Sequence, residues 1–153
     1  LRIDRIGRAP AGMSPVPVTA PAQTPGDGAP YLEYEVTLLT PGEVTVWAHV
    51  SPRNPTLGRP GLRYAVSFDD QAPQTVDFIA ATGPDDGGLN RRWARHTSDN
   101  VNRTSSVHTV ARAGVHRLRF WMVDPTVVLQ RLIVDTGGLP ETYLGPVESH
   151  RVR

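Results

Sequence analysis

The feature that most limits what this chain can fold into is its punctuation. Fourteen glycines and 15 prolines are spread along 153 residues, so few stretches escape a helix breaker for long. The longest that does, residues 89–113, carries apolar residues too sparsely to form a buried helical stripe. Between the breakers lie short β-branched runs that alternate apolar and polar positions. Tyr31 to Leu38 places Leu32, Tyr34, Val36 and Leu38 on one face and Glu33, Glu35 and Thr37 on the other. Val44 to Val50 alternates likewise, and Thr40-Pro41-Gly42-Glu43 between these two runs reads as a hairpin turn. Further strands are expected at 62–68, 75–79, 105–110, 115–123 and 127–134, with 105–110 pairing to 115–123 across Ala113-Gly114. A short strand at Val16 to Thr19 is also expected. Period-2 patterning of this kind describes sheets with one buried face, and two such sheets stacked together form a sandwich. The expected fold is therefore all-β, a jelly-roll β-sandwich of eight or more strands.

The length suits one domain. We read residues 1–30 as an extended arm, 31–135 as the sandwich and 136–153 as a surface tail. Segments 51–61 and 80–91 read as long loops, where binding usually sits. With no cysteine in the chain, disulfides and thiolate chemistry are excluded. No apolar run approaches a membrane span. A net charge of +1 gives no electrostatic case for nucleic acid or a membrane surface. The chain begins Leu1-Arg2-Ile3 without an initiator Met or a signal peptide, which suggests a piece of a longer protein.

Few residues offer chemistry. Asp69-Asp70 and Asp85-Asp86 are sequence neighbours whose side chains diverge, and Asp favours turns. Glu33 and Glu35 share a strand face and are the candidate ligands for a calcium ion, although a solvated face explains them better. Otherwise no cofactor is expected. The five histidines have no zinc-ligand spacing. Ser106 and His108 share a strand face, but neither a nucleophile turn nor an orienting acid accompanies them. Asn102-Arg103-Thr104 is formally a glycosylation sequon and reads as chance.

The aromatics are more informative. Trp93 follows the Gly-rich stretch 83–88 and is flanked by Asn90 and Arg92. With Asn100, these make the candidate carbohydrate site: an aromatic plane for a sugar face and a rim of hydrogen-bonding groups. Core anchorage is the competing explanation for Trp93. Trp47 and Trp121 each lie opposite the apolar set of their strands. They are the candidate interface residues, facing another domain, a subunit or a ligand.

A series of ordered blocks then carries a family likeness. They include Ala29-Pro30-Tyr31-Leu32-Glu33-Tyr34, Gly42-Glu43-Val44-Thr45-Val46, and Gly61 to Asp70. Trp93 with Ser98-Asp99-Asn100-Val101, Gly114 to Leu118, Val123 to Leu129, Asp135 to Leu139 and Tyr143 to Ser149 complete the series. In order and spacing the chain resembles the C-terminal β-sandwich domain of glycoside hydrolase family 115, the xylan α-1,2-glucuronidases. The resemblance implies a large, multidomain, homodimeric parent that removes glucuronic acid or its 4-O-methyl form from glucuronoxylan, often outside the cytoplasm. Catalytic groups would lie in upstream domains of the same chain, so no catalytic residue is assigned here. The domain would be accessory, shaped like carbohydrate-binding and galactose-binding modules. It would pack against the catalytic domain or a partner subunit and hold xylan. The alternative is a stand-alone carbohydrate-binding module. Segment 51–61 departs from the family pattern.

Overall fold

A computed structural model describes residues 2–4, 11–26, 28–55, 61–82, 91–140, 142 and 145–150. Within them are nine strands: β1 (Arg2–Asp4), β2 (Ala11–Met13), β3 (Tyr31–Leu38), β4 (Gly42–Val50), β5 (Arg63–Phe68), β6 (Gln74–Asp77), β7 (Asn102–Val110), β8 (Gly114–Met122) and β9 (Leu129–Asp135). They form two antiparallel sheets. Sheet A has the order β1-β2-β9-β4-β7 and sheet B the order β3-β8-β5-β6. The sheets pack face to face as a sandwich, and the alternating patterns explain why. Val44, Val46, Ala48 and Val50 point inward from β4. Tyr64, Val66 and Phe68 meet them from β5, and Leu118 and Phe120 from β8. Each fully buried side chain of this size contributes about 1.5–3 kcal/mol. Tyr64 stacks on Phe120 with ring centroids 4.8 Å apart. Its hydroxyl reaches across the core to Thr104 Oγ1 at 2.7 Å, and burial pushes the phenol pKa up to about 12.

The connectivity differs from the expected hairpins. β3 and β4 lie in different sheets, as do β7 and β8, so both connections are arches across the sandwich. The arches stack on each other. Leu38, which ends β3, pairs with Gly114, which starts β8, and Gly42, which starts β4, pairs with Val110, which ends β7. Gly42 and Gly114 have φ of 138° and 129°, a region that favours glycine and lets each strand begin by turning out of the preceding sheet. Neither connection offers the Asn-Gly or Asp-Gly pair that closes a two-residue hairpin.

Two further expectations are corrected. The arm adds strands to sheet A, at Arg2–Asp4 and Ala11–Met13 and not at Val16 to Thr19. Pro15 and Pro17 lack the N–H a ladder needs, and the chain turns there, with Ala20 N–H donating to the Pro17 carbonyl at 3.0 Å. Second, the 89–113 stretch holds a helix, α1 (Arg91–Ser98). At two turns it needs no long apolar stripe. Its end is locked by a paired cap: Asn100 N–H bonds the Thr97 carbonyl and Val101 N–H the His96 carbonyl. Asn100 takes φ 54°, and fully buried Val101 anchors the turn beyond it.

Three of the four sheet edges are β7, β3 and β6. Along β7, the amides of Gln74 from β6 and Gln71 from the β5–β6 turn reach over and donate to the Val107 and Thr109 carbonyls at 2.7 and 2.8 Å.

Candidate functional site

Of the sequence-derived carbohydrate residues, Arg92 and Trp93 belong to α1, and Asn100 sits in its cap with its side chain exposed. Asn90 lies outside the described residues. The left-handed backbone at Asn100 is accounted for by helix termination, and its carbonyl accepts from the Gln130 amide at 3.0 Å.

The two tryptophans offered as interface residues do lie on outer sheet faces, but the chain itself covers them. Trp121 is 7% exposed. It packs with Ala29, Ala65 and Val123, and its indole N–H donates to Ser67 Oγ at 2.9 Å. The arm is tied down beside it: Met122 N–H bonds the Pro30 carbonyl and Gln23 N–H the Val123 carbonyl, both at 2.9 Å. The expectation of an open face at Trp121 is therefore corrected. Period-2 reading assigns a residue to a face but not what the rest of the chain lays over that face. Trp47 is half-buried beside Ile133 in the register of β4 and β9. The tail crosses here: Gly145 lies close over Ile133 and Arg131, and Arg131 Nη1 donates to the Pro146 carbonyl at 3.0 Å. The Trp47 indole nitrogen is sealed from solvent without a hydrogen-bond partner.

Where the arm passes from sheet A to sheet B it leaves an apolar cleft of about 150 Å³. Met13 and Pro15 from the arm side, Tyr31 and Leu32 from β3, and Trp121 and Met122 from β8 line it. Tyr31 is 49% exposed. It stands opposite Trp121 in the β3–β8 register, with ring centroids 4.6 Å apart and planes tilted by 48°. The Arg119 guanidinium lies 5.5 Å from the Tyr31 centroid and pairs with Glu33 at 2.7 Å. Asp124, its carboxylate buried, is also among the lining residues. It is gripped by Arg63, whose backbone N–H and Nε both lie 2.9 Å from Oδ2. Sequence reading missed this cleft. Tyr31 falls in one expected strand and Asp124 in the gap between two others, and only the returning arm encloses a space between them.

The other chemistry-bearing residues are engaged structurally. His116 is buried, with Nδ1 2.7 Å from Asp69 Oδ2 and Nε2 3.0 Å from the Arg112 carbonyl. The Arg117 backbone N–H, then His116, hold the Asp69 carboxyl below the usual range. Ser106 Oγ and His108 Nε2 are 2.8 Å apart, both residues buried. Burial lowers the His108 pKa, so the ring is neutral. With the Gln74 amide donating to Nδ1 at 3.3 Å, Nε2 carries the proton and the serine oxygen accepts. That polarity is opposite to an activated nucleophile. Glu33 is paired with Arg119, and among the described residues no three His, Asp or Glu side chains converge as metal ligands. The sequon residue Asn102 is 3% exposed, with its amide donating to the Phe78 carbonyl at 3.2 Å, so the folded strand does not present it. No helix among the described residues is long and apolar enough to cross a membrane.

Two stacked antiparallel sheets joined by arches, their outer faces crossed by the chain's own ends, define a β-sandwich domain. Within that class, the sequence pattern of the glycosyl hydrolase family 115 C-terminal domain matches residues 1–148, and the chain belongs to that family. Among solved structures, the fold is similar to that of a family GH115 4-O-methyl-α-glucuronidase with specificity for decorated arabinogalactans. The TM-score is 0.62 at 18% identity, covering 90% of this chain and 18% of the other. The chain thus spans less than a fifth of that enzyme's length. Comparison with curated proteins gives no match.

Proposed function

We propose that this domain is the non-catalytic accessory part of a glucuronidase that removes glucuronic acid, or its 4-O-methyl form, from a plant polysaccharide. Its work is to pack against the upstream catalytic domains, in a homodimeric parent, and to hold the polysaccharide near them. The single observation that carries the reading is the family match over residues 1–148, a C-terminal domain by description. The side chains support it. Glu33 and Asp124 are each paired with an arginine, Asp69 accepts the Arg117 backbone N–H and lies 2.7 Å from His116 Nδ1, and Asp77 Oδ1 accepts the Ile79 and Ala80 N–H groups at 3.0 and 3.2 Å. None is presented as one of the two carboxyl groups that flank a scissile glycosidic bond.

Glucuronoxylan is the favoured polysaccharide. The decorated arabinogalactans named for the structural neighbour are the second substrate class to test. The test is turnover by the isolated chain, read as glucuronic acid released from 4-O-methylglucuronoxylan and from arabinogalactan. No release is expected. Release above the uncatalysed background would overturn the non-catalytic reading.

A further inference from the structure

We infer that the cleft between the arm and sheet B holds one pyranose ring of the polysaccharide, with the sugar's apolar face on Tyr31 and its edge toward Trp121. The inference rests on the polysaccharide-holding part of the reading above and gives it a site, away from α1. Four observations carry it. Tyr31 keeps half its surface open, although its neighbour Trp121 and the flanking arm residue Ala29 are buried. A volume of about 150 Å³ accommodates a six-membered ring. The walls are aromatic and aliphatic, as the C–H face of a pyranose requires. Beside the Tyr31 ring stands a partly exposed charged pair, Arg119 at 5.5 Å from the ring centroid and Glu33 at 2.7 Å from Arg119. Hydroxyl groups are recognised by such a donor–acceptor pair, and an apolar peptide side chain would leave it idle. The arm builds the site by crossing from β2 to β3, which explains why a strand-by-strand reading of the sequence does not show it.

The experiment titrates the folded chain with 4-O-methylglucuronic-acid-bearing xylo-oligosaccharides and with arabinogalactan oligosaccharides. It follows tryptophan fluorescence, which reports on Trp121 beside the cleft, and saturation-transfer NMR. Tyr31→Ala is expected to weaken binding about tenfold, equivalent to the loss of one aromatic contact. Its thermal midpoint should stay near that of the parent, because the ring is half exposed. Tyr31→Phe keeps the plane and should bind as the parent does. Binding that survives Tyr31→Ala but is lost in Trp93→Ala would overturn the cleft and leave the polysaccharide-holding reading standing, with its site on α1. No saturable binding to either oligosaccharide at millimolar concentration would overturn both, leaving only the packing role.

Discussion

The two outer faces of the sandwich solve the same problem differently. Each carries a tryptophan that points away from the core, and each is covered by one end of the chain. On sheet B the arm closes down on Trp121, and the indole N–H finds Ser67. On sheet A the tail crosses at Gly145 and Pro146, and the Trp47 N–H is sealed in without a partner. The first face is a second small core, with Ala29, Ala65, Trp121 and Val123 all buried. The second is a strap over a half-buried ring. An outward tryptophan therefore need not announce a partner, because the chain itself can be the partner. How fully the chain satisfies the polar atom distinguishes an integral layer from a loose cover.

Four substitutions test this contrast. Trp121→Ala removes the centre of the second core and should destabilise by about 3–5 kcal/mol. The thermal midpoint would fall on the order of 10 °C, and a fall of only one or two degrees would show that the arm side is not a core. Ser67→Ala orphans the Trp121 N–H, making it resemble Trp47, and should cost about 1–3 kcal/mol in urea unfolding. Arg131→Ala releases the Pro146 carbonyl. The expected loss is about 1 kcal/mol or less, with faster amide exchange confined to residues 145–150. Equal acceleration across the arm would break the distinction between the two faces. Trp47→Phe, last, deletes an N–H that bonds to nothing and should change stability by no more than about 0.5 kcal/mol. A loss as large as that from Ser67→Ala would mean that the indole nitrogen has a partner after all.

The strands were legible because each alternates. Val44 to Val50 and Leu118 with Phe120 bury the positions that the period assigns, and the sandwich follows from having two such sets. Connectivity was less legible. Thr40-Pro41-Gly42 and Ala113-Gly114 announce a reversal but not whether it stays in one sheet or spans two, a choice made by how both arches stack. The helix at Arg91 was missed because it is held by its end, at Asn100 and Val101, and not by an apolar stripe. The cleft at Tyr31 was missed because it belongs to no single element. His108 shows the converse. Sequence placed it beside Ser106 correctly, yet the direction of the proton, set by Gln74 from another sheet, is opposite to the one an activated serine needs.

The two glutamine amides laid over β7 have a consequence for solubility. A nine-residue strand at a sheet margin is a template for pairing with any extended chain, and such pairing starts many aggregates. Here the Val107 and Thr109 carbonyls are already taken by side chains from β6 and the turn before it. An incoming strand would have to displace two good hydrogen bonds before making its first. That guard works only while both sheets are assembled, so it protects the folded domain and leaves the partly folded chain exposed. Losing Gln71 and Gln74 together would therefore show itself first as concentration-dependent precipitation rather than as a lower melting temperature.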